Sequence, residues 1–126
     1  MKKFLTFTML FIPAIGIAST NENLDYCATT ESWAAYQVIN AAVRKNNQLD
    51  KHQANSILIN RHLLEKNKLP ITYSAWGELY SQTIEVTIPY IDKNKSPVII
   101  IASSIISEEE CSFSDPTYVD ITPKSY

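Results

Sequence analysis

The chain has 126 residues, 11 of them basic and 13 acidic, and its only glycines are Gly16 and Gly77. That length suits one domain with one modest core, and so little glycine excludes phosphate-cradling loops and dinucleotide fingerprints. The slight acid excess argues against nucleic acid and anionic membrane as main partners, because both are bound by basic surfaces.

Met1-Lys2-Lys3 places two positive charges ahead of an apolar run from Phe4 to Ile17, interrupted near its end by Pro13 and Gly16. Gly16-Ile17-Ala18 offers a small-x-small exit before the polar residues Ser19-Thr20-Asn21-Glu22. Together these features predict a secretory signal peptide over residues 1–18, cleaved near Ala18. The run falls short of the roughly 20 apolar residues of a membrane-spanning helix. Cys27 follows Leu24-Asp25-Tyr26, and a charge and an aromatic ring replace the small residues that lipidation requires. The expected mature product is a single α+β domain over residues 19–126, periplasmic or secreted, with no stable membrane insertion. Without Lys2 and Lys3, nine basic residues oppose thirteen acidic ones, a net charge of −4. Two cysteines in an exported chain imply one disulfide, Cys27–Cys111, which withdraws both thiols from catalysis and metal binding.

In chain order, Thr29 or Thr30 is positioned to cap a helix from Glu31 to Lys45. Ala35, Val38, Ile39, Ala42 and Val43 repeat at helical spacing and mark its buried stripe. Trp33 and Tyr36 broaden that stripe, with Trp33 expected in the core, and Arg44 and Lys45 suit the negative end of the helix dipole. Asp50 and Gln53 resemble a capping box for a second helix running to Lys66. Ala54, Ile57, Leu58 and Leu64 line one face of that helix, interrupted by Arg61. Asn67-Lys68-Leu69-Pro70 then ends it, and the segment from Ser74 to Tyr80 fits either a short helix or an irregular strand.

Beyond Gln82 the period becomes two. Ile84, Val86, Ile88 and Tyr90 alternate with Glu85, Thr87 and Pro89, and Pro89 suggests that this strand is an edge or has an edge-like end. The polar turn Asp92–Pro97 leads into Val98–Ile106, whose consecutive Ile99, Ile100 and Ile101 read as a central strand covered on both faces. Thr117–Thr122 makes a last strand, with Val119 and Ile121 pointing the same way. The expected fold is α+β: two N-terminal helices packed on a three- to four-stranded antiparallel sheet, with the disulfide clamping helical layer to sheet.

No catalytic motif stands out, and no cofactor is implied. On a continuous helix His52 and His62 would stand about 15 Å apart along the axis, too far to share a metal ion, so no metal site is expected. Glu78 and Glu85 are the one conceivable carboxylate pair for a small hydrolase. The sharpest charge feature is Glu108-Glu109-Glu110 beside Cys111; with Asp115 and Asp120 it makes five negative charges opposed only by Lys124. Residues 44–68 carry six positive and two negative charges, so the sequence suggests one acidic and one basic face. The acidic run is either a solvated turn or a surface that steers a basic protein partner. Trp33, Tyr73, Trp76 and Tyr80 form a second candidate patch around the middle segment, since aromatics anchor interfaces.

This layout resembles the YebF and colicin M immunity protein group. The resemblance rests on the leader, the cysteine directly before an amphipathic helix, and the hairpin that opens with Ile84-Glu85-Val86-Thr87-Ile88-Pro89-Tyr90. Cys111 at the hairpin's end and the strand at Tyr118-Val119-Asp120 complete it. It implies a small exported α+β protein without enzymatic activity, and it carries over no binding residues. The leading expectation is therefore a non-enzymatic protein-binding module, an immunity protein or inhibitor of a basic toxin or envelope enzyme. The candidate partner-binding residues are Glu108, Glu109, Glu110, Asp115, Trp76 and Tyr80. The alternatives are an accessory structural subunit of an envelope or secretion assembly, and a small secreted hydrolase.

Overall fold

The structure, a computed structural model, describes residues 22–124; the expected signal peptide lies outside them. A short helical stretch at 22–26 leads to Cys27, and a series of turns reaches helix α1, Trp33–Lys45. The helix starts two residues later than its expected beginning, and Ser32 occupies the N-cap without capping it. The Ser32 hydroxyl is engaged upstream, donating to the carbonyls of Cys27 and Thr29 at 2.8 Å each. Ala34, Ala35, Val38 and Ile39 are buried, with Ala42 and Val43 packed beside them, so the expected stripe is the one that faces the core. Trp33 is not part of it: the indole remains 46% exposed.

The predicted second helix is absent. Asp50 does cap a turn, its carboxylate accepting from the His52 N–H, but that turn is a single 3-10 turn at Lys51–Gln53. The chain then extends into strand β1, Asn55–Leu63. The register of β1 on its neighbour slips between Leu58 and Asn60. One extra residue in a strand moves every later side chain to the other face. The inward positions thus change from Ser56 and Leu58 to Arg61 and Leu63, which erases the period of two and leaves a spacing that imitates a helix. A two-residue turn at Asn67-Lys68, both with positive φ, joins β2 (Glu65–Lys66) to β3 (Leu69–Pro70). Such a turn suits the twist of a hairpin.

Ser74–Trp76 forms a 3-10 turn that ends at Gly77, whose φ of 87° and ψ of −156° only glycine adopts easily. Strands β4 (Tyr80–Ile88), β5 (Val98–Ile106) and β6 (Thr117–Asp120) complete a four-stranded antiparallel sheet in the order β1-β4-β5-β6. Strand β4 is therefore interior. Pro89 lies just past its end, where its carbonyl accepts from the Asp50 N–H, so no ladder donor is lost within the strand.

Gln82, Ile84, Val86 and Ile88 of β4 and Val98, Ile100, Ala102 and Ile106 of β5 are buried on the helix side. Full burial of each large aliphatic side chain contributes about 1.5–3 kcal/mol. Ile99, Ile101 and Ile105 face the other way and are only half-buried, because the single helical layer covers one face. Val119 and Ile121 do share a side, alongside Ile101 and Ile99 of that open face. The disulfide Cys27–Cys111 joins the segment before α1 to the segment after β5, inside a small cluster with Leu24, Ile106 and Tyr80. The α+β class, the four-stranded sheet and the clamp are thus as expected; residues 51–66 are the element that changes type.

Candidate interaction site at the disulfide end

Strand β5 ends at Ile106, and the chain turns through the glutamate run to Cys111. Buried Ser107 builds this turn: its hydroxyl accepts from the N–H groups of Glu109 and Glu110 at 3.1 Å each, and its N–H donates to the Glu110 carbonyl at 2.8 Å. Glu110 then turns back to accept from the Cys111 N–H at 3.1 Å. A hydroxyl inside and a disulfide at the exit hold the backbone, while Glu108 and Glu109 project outward, exposed.

Two clefts flank the turn. The first, about 250 Å³, lies against the 3-10 segment and is lined by Trp76, Gly77, Glu78, Tyr80, Glu108 and Glu109. The second, about 360 Å³, lies against the helical layer, where Tyr26, Glu31 and Trp33 face the three glutamates. Each cleft therefore has an aromatic wall and several carboxylates. Phe113 supports the first from behind, meeting Tyr73 edge-on at 5.6 Å and Trp76 at 6.1 Å between ring centres. These edge-to-face contacts leave the Trp76 indole 42% exposed.

Five carboxylates, those of Glu31, Glu78, Glu108, Glu109 and Glu110, thus surround one turn. Among the described residues the ion pairs are Arg61–Asp25 and Lys93–Asp50, so none of the five is paired. Their crowding acts on Tyr80: burial, and then the charges of Glu78 and Glu108, push its phenol above the ordinary value against a smaller opposing effect of Arg61. Such a surface attracts ammonium and guanidinium groups through carboxylate hydrogen bonds and through the faces of indole rings.

Of the residues singled out in the sequence, Trp76, Tyr80, Glu108 and Glu109 meet in one cleft, and Glu110 lines its neighbour. Asp115 belongs elsewhere. It accepts from the Gln37 side chain at 3.4 Å and borders a shallow recess with Arg44 and Pro116 on the flank of α1. Glu78 and Glu85 do not converge. Glu78 sits in the first cleft, whereas Glu85 is five residues into β4, about 17 Å along the strand, between Ile57 and Ile101 on the open face. Sequence reasoning missed Glu31, Tyr26 and Phe113; the proximity of Phe113 to Cys111 was the one available hint.

The expected basic face is also dispersed. The guanidinium of Arg61 points inward, Lys66 and Lys68 occupy the hairpin, Arg44 borders the recess beside Asp115, Lys45 lies in a cleft with Tyr90, and Lys51 follows Asp50, which pairs with Lys93. His52 precedes β1 and His62 pairs with Ser81 at its other end. Among the described residues no three His, Cys, Asp or Glu side chains are placed to hold a metal ion, and no helix is long and apolar enough to cross a membrane. The chain matches no protein-family model, no curated protein and no solved structure.

Proposed function

We propose that this chain is an exported, non-enzymatic protein-binding module: an immunity protein or inhibitor whose acidic, aromatic-lined end engages a basic toxin or cell-wall-degrading enzyme. The observation that carries the reading is the fixed turn at 107–111, with five carboxylates that are in no ion pair among the described residues gathered beside Trp33, Trp76 and Tyr80. Exposed charge of one sign steers an oppositely charged protein and raises its association rate. Half-exposed indoles and phenols supply the anchors that hold interfaces together. The leader at residues 1–18 and the disulfide support an oxidising compartment outside the cytoplasm, and the resemblance to the YebF and colicin M immunity protein group points the same way.

The test begins with immobilised mature chain and periplasmic extract at low salt, with the retained protein identified by mass spectrometry. A stoichiometric basic protein is expected. Changing Glu108, Glu109 and Glu110 together to glutamine should slow its association several-fold at low salt and leave dissociation nearly unchanged. The difference should shrink near 0.5 M salt, where screening acts over only about 4 Å. Retention of no such protein, or equal association by the triple variant, would refute the reading.

A further inference from the structure

Helix α1 packs on β4 and β5 and leaves the helix-side face of β6 uncovered, with all four β6 residues exposed. The gap between helix and edge strand is a cleft of about 560 Å³ at the end of the sheet remote from the disulfide. Val98 and Ile100 form its floor. Ala41 and Ala42 are too small to reach across to Tyr118 on the opposite wall. Leu49 and Tyr90 close one end, where the Asn46 amide donates to the Tyr90 hydroxyl at 3.3 Å. The interior is thus mixed, somewhat more apolar than polar, and its volume is within the range of small-molecule sites, about 300–1,000 Å³.

Its lining includes one cation and one anion, Lys45 and Asp120. Neither is in an ion pair among the described residues. Asp120 is held in place: it accepts from the Thr122 N–H at 2.8 Å. Hydrogen bonds from the Thr122 hydroxyl and N–H, with smaller effects of Lys45 and of Lys124 outside the cleft, outweigh burial and hold the Asp120 carboxyl below its ordinary value. An amphiphilic anion would satisfy Lys45 but be repelled by Asp120, and an amphiphilic cation would meet the reverse. A small apolar body carrying both charges satisfies the two together.

We propose that the cleft between α1 and β6 binds a short apolar zwitterion, a dipeptide with both termini free, its carboxylate on Lys45, its ammonium on Asp120 and its side chains over Ile100. This site is separate from the acidic end and does not depend on the function proposed for it. The test is titration of the ¹⁵N-labelled, disulfide-bonded chain with L-leucyl-L-leucine, followed by backbone amide NMR. Saturable shifts are expected at Ala41, Ala42, Lys45, Tyr118 and Asp120, with a Kd of about 0.1–1 mM for a ligand of this size. The N-acetylated dipeptide and the dipeptide amide should each bind about tenfold more weakly, the cost of one charge-assisted hydrogen bond. Asp120→Asn retains an acceptor for the Thr122 N–H and should remove the preference for a free amino terminus, while Lys45→Met removes that for a free carboxylate. No saturable shift up to about 10 mM, tenfold above the weakest expected Kd, overturns the proposal. So does equal binding of the blocked peptides, or a set of shifts that maps to another surface.

Discussion

Replacing Arg61 with methionine is the sharpest test of how the acidic end is held to the sheet. The Arg61 side chain is only 11% exposed. Its Nε and Nη2 donate to the Gln82 Oε1 at 3.1 and 3.0 Å, Nη2 also donates to the Leu24 carbonyl at 2.9 Å, and Nη1 reaches Asp25 at 2.9 Å. Gln82 is 1% exposed and passes the link on, its amide donating to the Cys27 carbonyl at 3.0 Å. One arginine therefore ties the segment before the disulfide to β1 and β4. Methionine keeps much of the apolar stem but leaves the Gln82 oxygen buried without a donor. An orphaned buried acceptor costs about 1–3 kcal/mol, and hydrogen bonds to a charged group contribute about 1.5–3 kcal/mol. Allowing for overlap between the two, about 3–4 kcal/mol is expected.

Asp25→Asn is the control. The Asp25 side chain is 63% exposed, and an exposed ion pair contributes about 0–1 kcal/mol. Urea and thermal denaturation followed by circular dichroism at neutral pH measure both variants, and Tm should fall by roughly 12 °C or more for Arg61→Met. The double variant Arg61→Met with Gln82→Leu should be less destabilised than the sum of its parts by about 1–2 kcal/mol, since the orphaned acceptor is gone. The Cys27 carbonyl keeps the Ser32 hydroxyl as a donor in that variant. Equal losses for Arg61→Met and Asp25→Asn, or strict additivity in the double variant, would refute the reasoning.

Two further outcomes follow from the same end of the molecule. The Cys27–Cys111 bridge spans a sequence separation of 84, for which the chain-entropy account gives about 4–5 kcal/mol; Cys27→Ser should lose about 2–5 kcal/mol in chemical denaturation, and an unchanged midpoint would mean that the bridge does not clamp the fold. The Tyr80 phenol is raised, first by burial and then by Glu78 and Glu108, so its neutral form favours the folded state. That contribution is fully present below the ordinary phenol value of about 10 and is lost as pH rises through the higher folded value. Tyr80→Phe should therefore resist alkaline unfolding better than the parent chain, and identical alkaline profiles would contradict the assignment.

The parts of the fold legible in the sequence are those where one physical signal acts alone. The α1 stripe from Ala35 to Val43 has a single period and one buried face, and β4 alternates without interruption because it pairs regularly with β5 and the extra residue of the irregular β1–β4 ladder lies in β1. Strand β1 was illegible because its bulge combines two alternations into an apparent helical face, while Asp50 supplies a true cap for a turn that stops at Gln53. Arg61 looked like a blemish on a helix face and is instead the buried link between three segments. Half of the candidate site was visible as a charge run and half as an aromatic patch. Their meeting depends on Tyr80 pairing with Ile106, which places the chain entering β4 beside the chain leaving β5. Asp115 was grouped with the glutamates by proximity in sequence, but the chain by then has turned toward the flank of α1.

The same topology bears on how the acidic end would bind. A flexible acidic tail gives fast encounters but loses affinity to the ordering of its backbone on contact. Here the backbone from Ser107 to Cys111 is already ordered by one hydroxyl, one carboxylate and one disulfide, so what remains to be fixed is the glutamate side chains. Binding then costs about 0.5–1.5 kcal/mol for each long side chain immobilised, with little further loss from the turn itself. Trp76 needs less ordering still, since Phe113 already braces its ring. In the proposed complex the division of labour would follow: the glutamates would set how quickly a basic partner arrives, and the braced indole, with its face still open, would set how long it stays.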